Sequence, residues 1–319
     1  MRITRVNSSE SVVEWLRREA DSQHLKVLAG PRGVGKTTAL RSYCNLLRER
    51  GVDDSDIILL DFESAALRRL ESYKEVIAII RERRGARQSM LYLMLDEITA
   101  LLDFPFLTAF LYSLPNCDLL VTTSNRRLGM DAAEGYFGDE ISFCRMYPGG
   151  DLQRSEHELE AQWAIAFLRD VLGGDVLANA SAVERLMDYL ASHMGDPVSR
   201  RKLAQNFRVG NHPLSPNTVQ EYMKLLENAY LLESVPTWDT FEGCIAKNAG
   251  VRVFCTDLEL RQRLCGDLPG EAERLAYNRK YLDLRVHHDH VYCERSDAAF
   301  PDFVIIDRDT TEVVKWKGS

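Results

Sequence analysis

Two hydrophobic patterns alternate along the first 147 residues: short continuous apolar runs, and longer stretches with apolar positions every three or four residues. Leu25–Ala29, Asp56–Phe62, Met90–Leu95, Asp118–Ser124 and Glu140–Met146 read as strands. Runs this poor in polar residues fit strands buried on both faces of a parallel sheet. Residues 9–22 (Val12, Val13 and Leu16 on one side), 36–50, 65–84 and 103–113 read as helices, the second closed by Gly51. Strands alternating with helices predict an α/β domain over residues 1–148, ended by the turn cluster Tyr147-Pro148-Gly149-Gly150.

Beyond that cluster the period is helical. Glu156–Leu172 is stopped by Gly173-Gly174, and Ser181–His193, Val198–Phe207 and Ser215–Leu226 follow, the last with Ser-Pro at its entry. Apolar residues recur at Val219, Tyr222, Met223, Leu226 and Tyr230, and Leu231–Val235 reads as a strand. Three helices and a strand over residues 181–240 make a winged helix-turn-helix the expectation, so residues 149–240 are expected to hold a helical lid and this module, with residues 216–228 as its recognition helix. Residues 241–319 are expected to form a small α+β tail.

The chemistry concentrates at Gly30-Pro31-Arg32-Gly33-Val34-Gly35-Lys36-Thr37, which fits the phosphate-binding loop, strand before and helix after. Glycines let backbone N–H groups face a β-phosphate, and the helix N-terminus adds partial positive charge. Residues 30–38, through Thr38, are the expected nucleotide cradle. Lys36 would reach the β- and γ-phosphates and the Thr37 hydroxyl would hold Mg²⁺. Met90–Leu95 ends in Asp96-Glu97, which places two carboxylates at the sheet rim where ligands bind. Asp96 is the expected second Mg²⁺ residue, and Glu97 the group that orients or deprotonates the attacking water. Catalytic roles therefore fall to Glu97 and Lys36, with ATP and Mg²⁺ as cofactors. The strand 118–124 ends in hydroxyls, so Thr123, Ser124 and Asn125 are candidates to touch the γ-phosphate or the water, with Ser124 carried forward.

The strand between the loop and the Asp-Glu pair, 60 residues downstream of Lys36, resembles ATPases of the AAA+ kind rather than GTPases. ATP over GTP rests on this resemblance. Ala29–Leu40, Leu95-Asp96-Glu97, the Thr-Thr-Ser turn and the stretch from Leu214 to Leu232 together are similar to prokaryotic AAA+-like ATPases with a DUF4143 C-terminal region. That resemblance spans residues 24–315. It implies a P-loop domain, a winged helix and a restriction-endonuclease-like fold.

Two departures from that family stand out. The Gly-Arg pair usual before its fifth strand is replaced by Gly135-Tyr136-Phe137-Gly138-Asp139, so the arginine there is missing and Arg126, Arg127 or Arg145 are the substitutes. A nuclease of the resembling kind needs Asp, then Glu-x-Lys; here Asp302 and Lys315 are present, but Glu312 is one residue out of step and Glu273 is the upstream candidate. Successive strand residues face opposite sides, so the expected site is degenerate. His287-His288-Asp289-His290 reads as a polar loop rather than a metal site.

Composition narrows the partners. Net charge is −8, and residues 181–240 carry six Lys/Arg against seven Asp/Glu. Duplex binding depends on phosphate neutralisation. A DNA contact through residues 199–228, with the basic cluster Arg200-Arg201-Lys202 and the polar face Asn217, Gln220, Glu221, Lys224 and Asn228, therefore stands beside a packing or regulatory role. The Arg-rich segment Arg81–Arg87 reads as a solvated helix end. The apolar runs are too short to span a membrane. The seven cysteines are scattered without a Cys-x-x-Cys pair, as in a reducing cytoplasm. The functional expectation is Mg²⁺-dependent ATP binding and hydrolysis coupled to a DNA or protein partner, with homo-oligomerisation open. The alternatives are a non-hydrolysing ATP switch and an ATP-dependent nuclease.

Overall fold

The computed structural model describes residues 2–22, 24–70, 72–101, 103–126, 141–149, 154–173, 179–209, 212–247, 249–266, 268–307 and 310–318. It divides into two compact units, residues 1–149 and 150–319.

In the first unit the elements run β1 (Arg2–Val6), α1 (Ser9–Glu19), β2 (Leu25–Ala29), α2 (Lys36–Glu49), β3 (Ile57–Asp61), α3 (Tyr73–Arg84), β4 (Leu91–Asp96), α4 (Phe104–Tyr112), β5 (Cys117–Thr123) and β6 (Ile141–Met146). The strands form a six-stranded parallel sheet in the order β1-β6-β2-β5-β4-β3. Every residue of β2, β4 and β6 is buried, as strands covered on both faces require. Val12, Trp15 and Leu16 of α1 join Leu40, Tyr43 and Leu47 of α2 against Leu28, Met94, Leu120 and Met146 on one face. On the other face α4 packs on β5.

Two elements differ from the hydrophobic pattern. β1, Arg-Ile-Thr-Arg-Val, is neither an apolar run nor a strict alternation and so does not announce a strand; it exists by pairing in register with β6. The helix expected over 65–84 splits, because Leu67–Arg69 makes one 3₁₀ turn and Ser72 then caps α3, its side chain accepting from Lys74 N–H. Glu140 and the turn residue Gly150 lie outside the described residues.

The far end of the sheet from the loop holds a buried ion pair. Lys26 Nζ on β2 lies 3.0 Å from Asp118 Oδ1 on β5, both side chains inaccessible to within 2%. The Asp118 carboxylate also accepts from Asp21 N–H at 2.8 Å. Burial pushes its carboxyl above the ordinary value, with Lys26 pulling the other way.

In the second unit α5 (Glu156–Ile165) runs on as a π-helix through Ala166–Val171. Then come α6 (Ala180–Ser192), β7 (Pro197–Val198), α7 (Arg200–Asn206), the short pair β8 (Arg208–Val209) and β9 (His212–Pro213), α8 (Pro216–Asn228), β10 (Leu232–Asp239), β11 (Cys244–Ile245) and β12 (Val251–Cys255). The last elements are α9 (Leu258–Cys265), α10 (Glu271–His287), β13 (Val291–Glu294), β14 (Phe303–Asp307) and β15 (Thr310–Val314). Gly174, the second residue of the expected helix stop, lies outside the described residues. The expected boundary at residue 240 meets no break in structure, because one sheet of order β15-β14-β13-β10-β12-β7 runs through it. β10 is the reason. Its first half pairs antiparallel with β12 and its second half parallel with β13. Leu232 and Val253 face the helical core with Leu186, Leu190 and Leu226, whereas Val235 and Phe254 face Tyr277, Tyr281 and Phe303. One strand pair thus closes two cores.

Among the described residues no helix is long and apolar enough to cross a membrane. The seven cysteines are free thiols, and burial raises those of Cys255 and Cys293 to about 12.

Removing one partner of a buried ion pair leaves an uncompensated charge, so Lys26→Met is expected to lower unfolding stability by about 3–5 kcal/mol. Lys26→Met combined with Asp118→Leu should recover most of it, as measured by urea unfolding.

Candidate functional site

β2 delivers the chain to the sheet rim at Gly30, whose N–H donates to Thr123 O at 3.2 Å. A side chain at Gly30 could not fit, since a Cβ would stand 2.5 Å from Met146 O. Gly35, at φ 103° in the left-handed region that favours glycine, then turns the loop into α2. No side chain caps that helix start, which leaves its first N–H groups to the loop interior, the arrangement that suits an anion. Pro31 is buried, and Val34 anchors the loop in the core beside Ala39 and Leu40. Arg32 reaches outward to Glu63 Oε1 at 2.7 Å, and Thr38 is exposed on the first turn of α2.

The remaining predicted site residues converge. Lys36 is buried and donates to Gly30 O (2.9 Å), Pro31 O (3.0 Å) and Ser124 Oγ (2.8 Å), and its ammonium lies 3.1 Å from Glu97 Oε1. Ser124 completes the hold on Glu97, donating from its hydroxyl to Oε1 at 2.6 Å and from its N–H to Oε2 at 2.9 Å. The Thr37 hydroxyl donates to Asp96 Oδ2 at 2.7 Å. β5 lies between β2 and β4 in the sheet, which puts Ser124 between the loop and the carboxylates.

The two neighbouring acids are tuned in opposite directions. Burial raises Asp96 above the ordinary 3.8, against the hydroxyls of Thr122 and Thr37 that draw it down. Burial also acts upward on Glu97, but Lys36, Arg32 and the Ser124 hydroxyl outweigh it and hold that carboxyl below its ordinary 4.5. Glu97 is also one of the non-glycine residues with positive φ (52°, ψ 49°). The left-handed conformation costs about 1–2 kcal/mol for an L-residue and persists where surrounding contacts over-determine it.

Sequence reasoning missed two participants. Glu63, two residues beyond β3, holds Arg32, and nothing in the motif announces it. Thr122 Oγ1 accepts Glu97 N–H at 2.8 Å and donates to Asp96 Oδ1 at 2.5 Å. The signal for Thr122 lay in strand register, because Leu95 pairs with Val121 and the next residues on each strand are Asp96 and Thr122. Thr123 instead turns its hydroxyl to its own loop, accepting from Asn125 N–H at 3.0 Å. Arg145 lies on β6 opposite Ala29, buried, with its guanidinium 4.5 Å over the Tyr147 ring. Arg126 is half-buried after β5, while Arg127 and Gly135–Asp139 lie outside the described residues.

The second unit brings its candidates together less well. Lys315 Nζ pairs with Asp302 Oδ2 at 2.7 Å, and Trp316 N–H donates to the other oxygen. Glu312 lies exposed opposite Ile305, and Glu273 in the first turn of α10. Among the described residues no three His, Cys, Asp or Glu side chains converge as a metal site. The histidine run is not a loop throughout: His287 ends α10, and His288 Nδ1 lies 2.8 Å from Asp307 Oδ2. Arg200, Arg201 and Lys202 are exposed, with Arg200 donating to Gln220; Asn217, Glu221 and Lys224 are exposed, whereas Gln220 and Asn228 are half-buried.

Residues 22–149 match the family of an AAA domain, and residues 152–266 match a domain of unknown function, DUF8612. The C-terminal match is thus to DUF8612 where DUF4143 was expected. An uncharacterized protein of Haemophilus influenzae is 23% identical over 296 residues, which are 81% of this chain and 74% of that protein. PCH-2 of C. elegans is similar at 15% identity and a TM-score of 0.33, over 69% of this chain and 66% of that one. A DNA polymerase III gamma subunit-related protein of Thermotoga maritima is similar at 10% identity and a TM-score of 0.30, over 88% and 93%. The first unit is an α/β domain with a parallel sheet, similar over residues 22–149 to AAA domains.

A carboxyl held low contributes stability above its unfolded pKa and loses it as pH falls through the folded value. With metal chelated, the wild type should be more stable than Glu97→Gln near neutrality. That gap should close as the pH falls below 4.5, read by urea unfolding across the acid range.

Proposed function

We propose that the first unit binds ATP with Mg²⁺ and hydrolyses it. The observation that carries this reading is the cluster of buried Lys36, Asp96, Glu97 and Ser124 with half-buried Thr37 beside an uncapped helix N-terminus. Thr37 and Asp96 offer a hydroxyl and a carboxylate 2.7 Å apart, the hard oxygen donors that suit Mg²⁺. The glycine cradle leaves backbone where side chains would block a phosphate. The metal, when bound, would neutralise charge on the β- and γ-phosphate oxygens.

The protein's own residues supply the rest. Lys36 now spends its ammonium on two loop carbonyls, Ser124 and Glu97, and a triphosphate offers it stronger partners. Drawing Lys36 away would relieve Glu97 Oε1 of one of its two donors. The carboxylate, kept ionised by its neighbours, could then accept a proton from the attacking water. Ser124 would remain to aim it. Of the substitute arginines, Arg145 lies on the strand beside β2, opposite Ala29, and is the one proposed to meet the developing phosphate charge.

A non-hydrolysing switch is favoured by one fact: both Glu97 oxygens are already engaged, which serves a sensor of nucleotide as well as a base. For the second unit, the succession α6, β7, α7, the short β8–β9 pair, α8 and then β10 to β12, with β12 between β7 and β10 in the sheet, supports a winged helix-turn-helix. Its exposed Arg200-Arg201-Lys202 edge is the proposed DNA contact, although the near-neutral region favours a weak one. The Asp302–Lys315 pair, with no third ligand converging on it among the described residues, argues against nuclease chemistry.

The test is steady-state phosphate release from ATP with Mg²⁺, with and without duplex DNA. Lys36→Ala should lose nucleotide binding. Glu97→Gln should keep binding and lose about 10²–10⁴-fold in turnover, the usual worth of a general base. Binding without turnover by the wild type in both conditions leaves the switch.

A further inference from the structure

The Thr122 hydroxyl stands between the two acids at the end of β4 and is inaccessible to solvent. An ionised carboxylate can only accept, so the single hydroxyl proton of Thr122 goes to Asp96 Oδ1 and a lone pair receives the Glu97 N–H. That order leaves no freedom of orientation. With Oδ1 taken, Asp96 presents Oδ2 to the Thr37 hydroxyl. The same oxygen fastens the Glu97 amide in its left-handed turn, from which the side chain meets Ser124 and Lys36.

We propose that Thr122 is a positioning residue for both carboxylates: its one hydroxyl sets which oxygen of Asp96 faces the metal position and holds the backbone turn that directs Glu97. This rests on the Mg²⁺–ATP reading above. Thr122 touches neither Lys36 nor the loop in any of these bonds, so it acts on the metal-dependent part of binding and on turnover, while the phosphate cradle stays as it is.

Valine at this position preserves shape and strand preference and removes only the hydroxyl. The test is the affinity of a fluorescent ATP analogue in EDTA and in Mg²⁺, for wild type, Thr122→Val and Thr122→Ser. Thr122→Val should bind as wild type in EDTA and lose ten- to a hundred-fold of the gain produced by Mg²⁺, the range found for groups that orient metal ligands. Thr122→Ser should restore the gain. Where Thr122→Val does not fold, Thr122→Ser against Thr122→Ala makes the same comparison, since both lack the methyl and one keeps the hydroxyl. A Mg²⁺ gain kept in full by the valine or alanine variant, or lost equally by the serine variant, overturns the role of Thr122. A wild type with no Mg²⁺ gain overturns the parent reading instead.

Discussion

The buried contact between the Lys36 ammonium and the Glu97 carboxylate is the constraint around which the first unit is arranged. Two charges removed from water are tolerable only when each is paired and its remaining hydrogen-bonding capacity is filled, since an uncompensated buried ion costs several kcal/mol. The site meets that demand with groups already placed by the fold: carbonyls of Gly30 and Pro31, and the hydroxyl and amide of Ser124. Each sits at the carboxyl end of a parallel strand or in the loop that follows it. A sheet with β5 between β2 and β4 is what makes the supply sufficient. Were the loop strand and the acid strand adjacent, Ser124 and Thr122 would have no position between them.

The pairing also explains why two sequential acids behave differently. Asp96 ends a strand and is surrounded by hydroxyls, which only partly offset its burial. Glu97 turns out of the strand with positive φ and meets the full charges of Lys36 and Arg32. Burial that neutral donors only partly offset leaves one acid high, and full charges bring its neighbour low, within a single residue step.

The second unit depends on a different economy, that of one strand serving two cores. Within β10, Leu232 joins the helical cluster of α6 and α8 and Val235 the aromatic cluster of α10 and β14. A strand with both faces buried cannot be assigned to one of two domains, and residues 150–319 accordingly form one unit.

Much of this was legible in the chain. Central strands with both faces covered read as largely apolar runs, so β4 could be found by composition alone and β2 and β5 despite Lys26 and Asp118, and Gly30–Thr37 and Asp96-Glu97 carry chemistry in their residue types. β1 escaped notice because an edge strand is made by its neighbour, and the continuity of the sheet through residue 240 because local patterning records a strand without recording what it pairs with. Ser215-Pro216 likewise announced its helix through a local cap, Ser215 accepting from Thr218 N–H. The sequence by itself determined the elements whose signals are local: caps, turns, buried strands and the phosphate-binding loop. Only the tertiary structure decided strand order and register. Those bring Thr122 between Asp96 and Glu97, Glu63 to Arg32 and Ser124 to Lys36. Such contacts join residues up to 88 positions apart, and no periodicity within a stretch of chain can encode them.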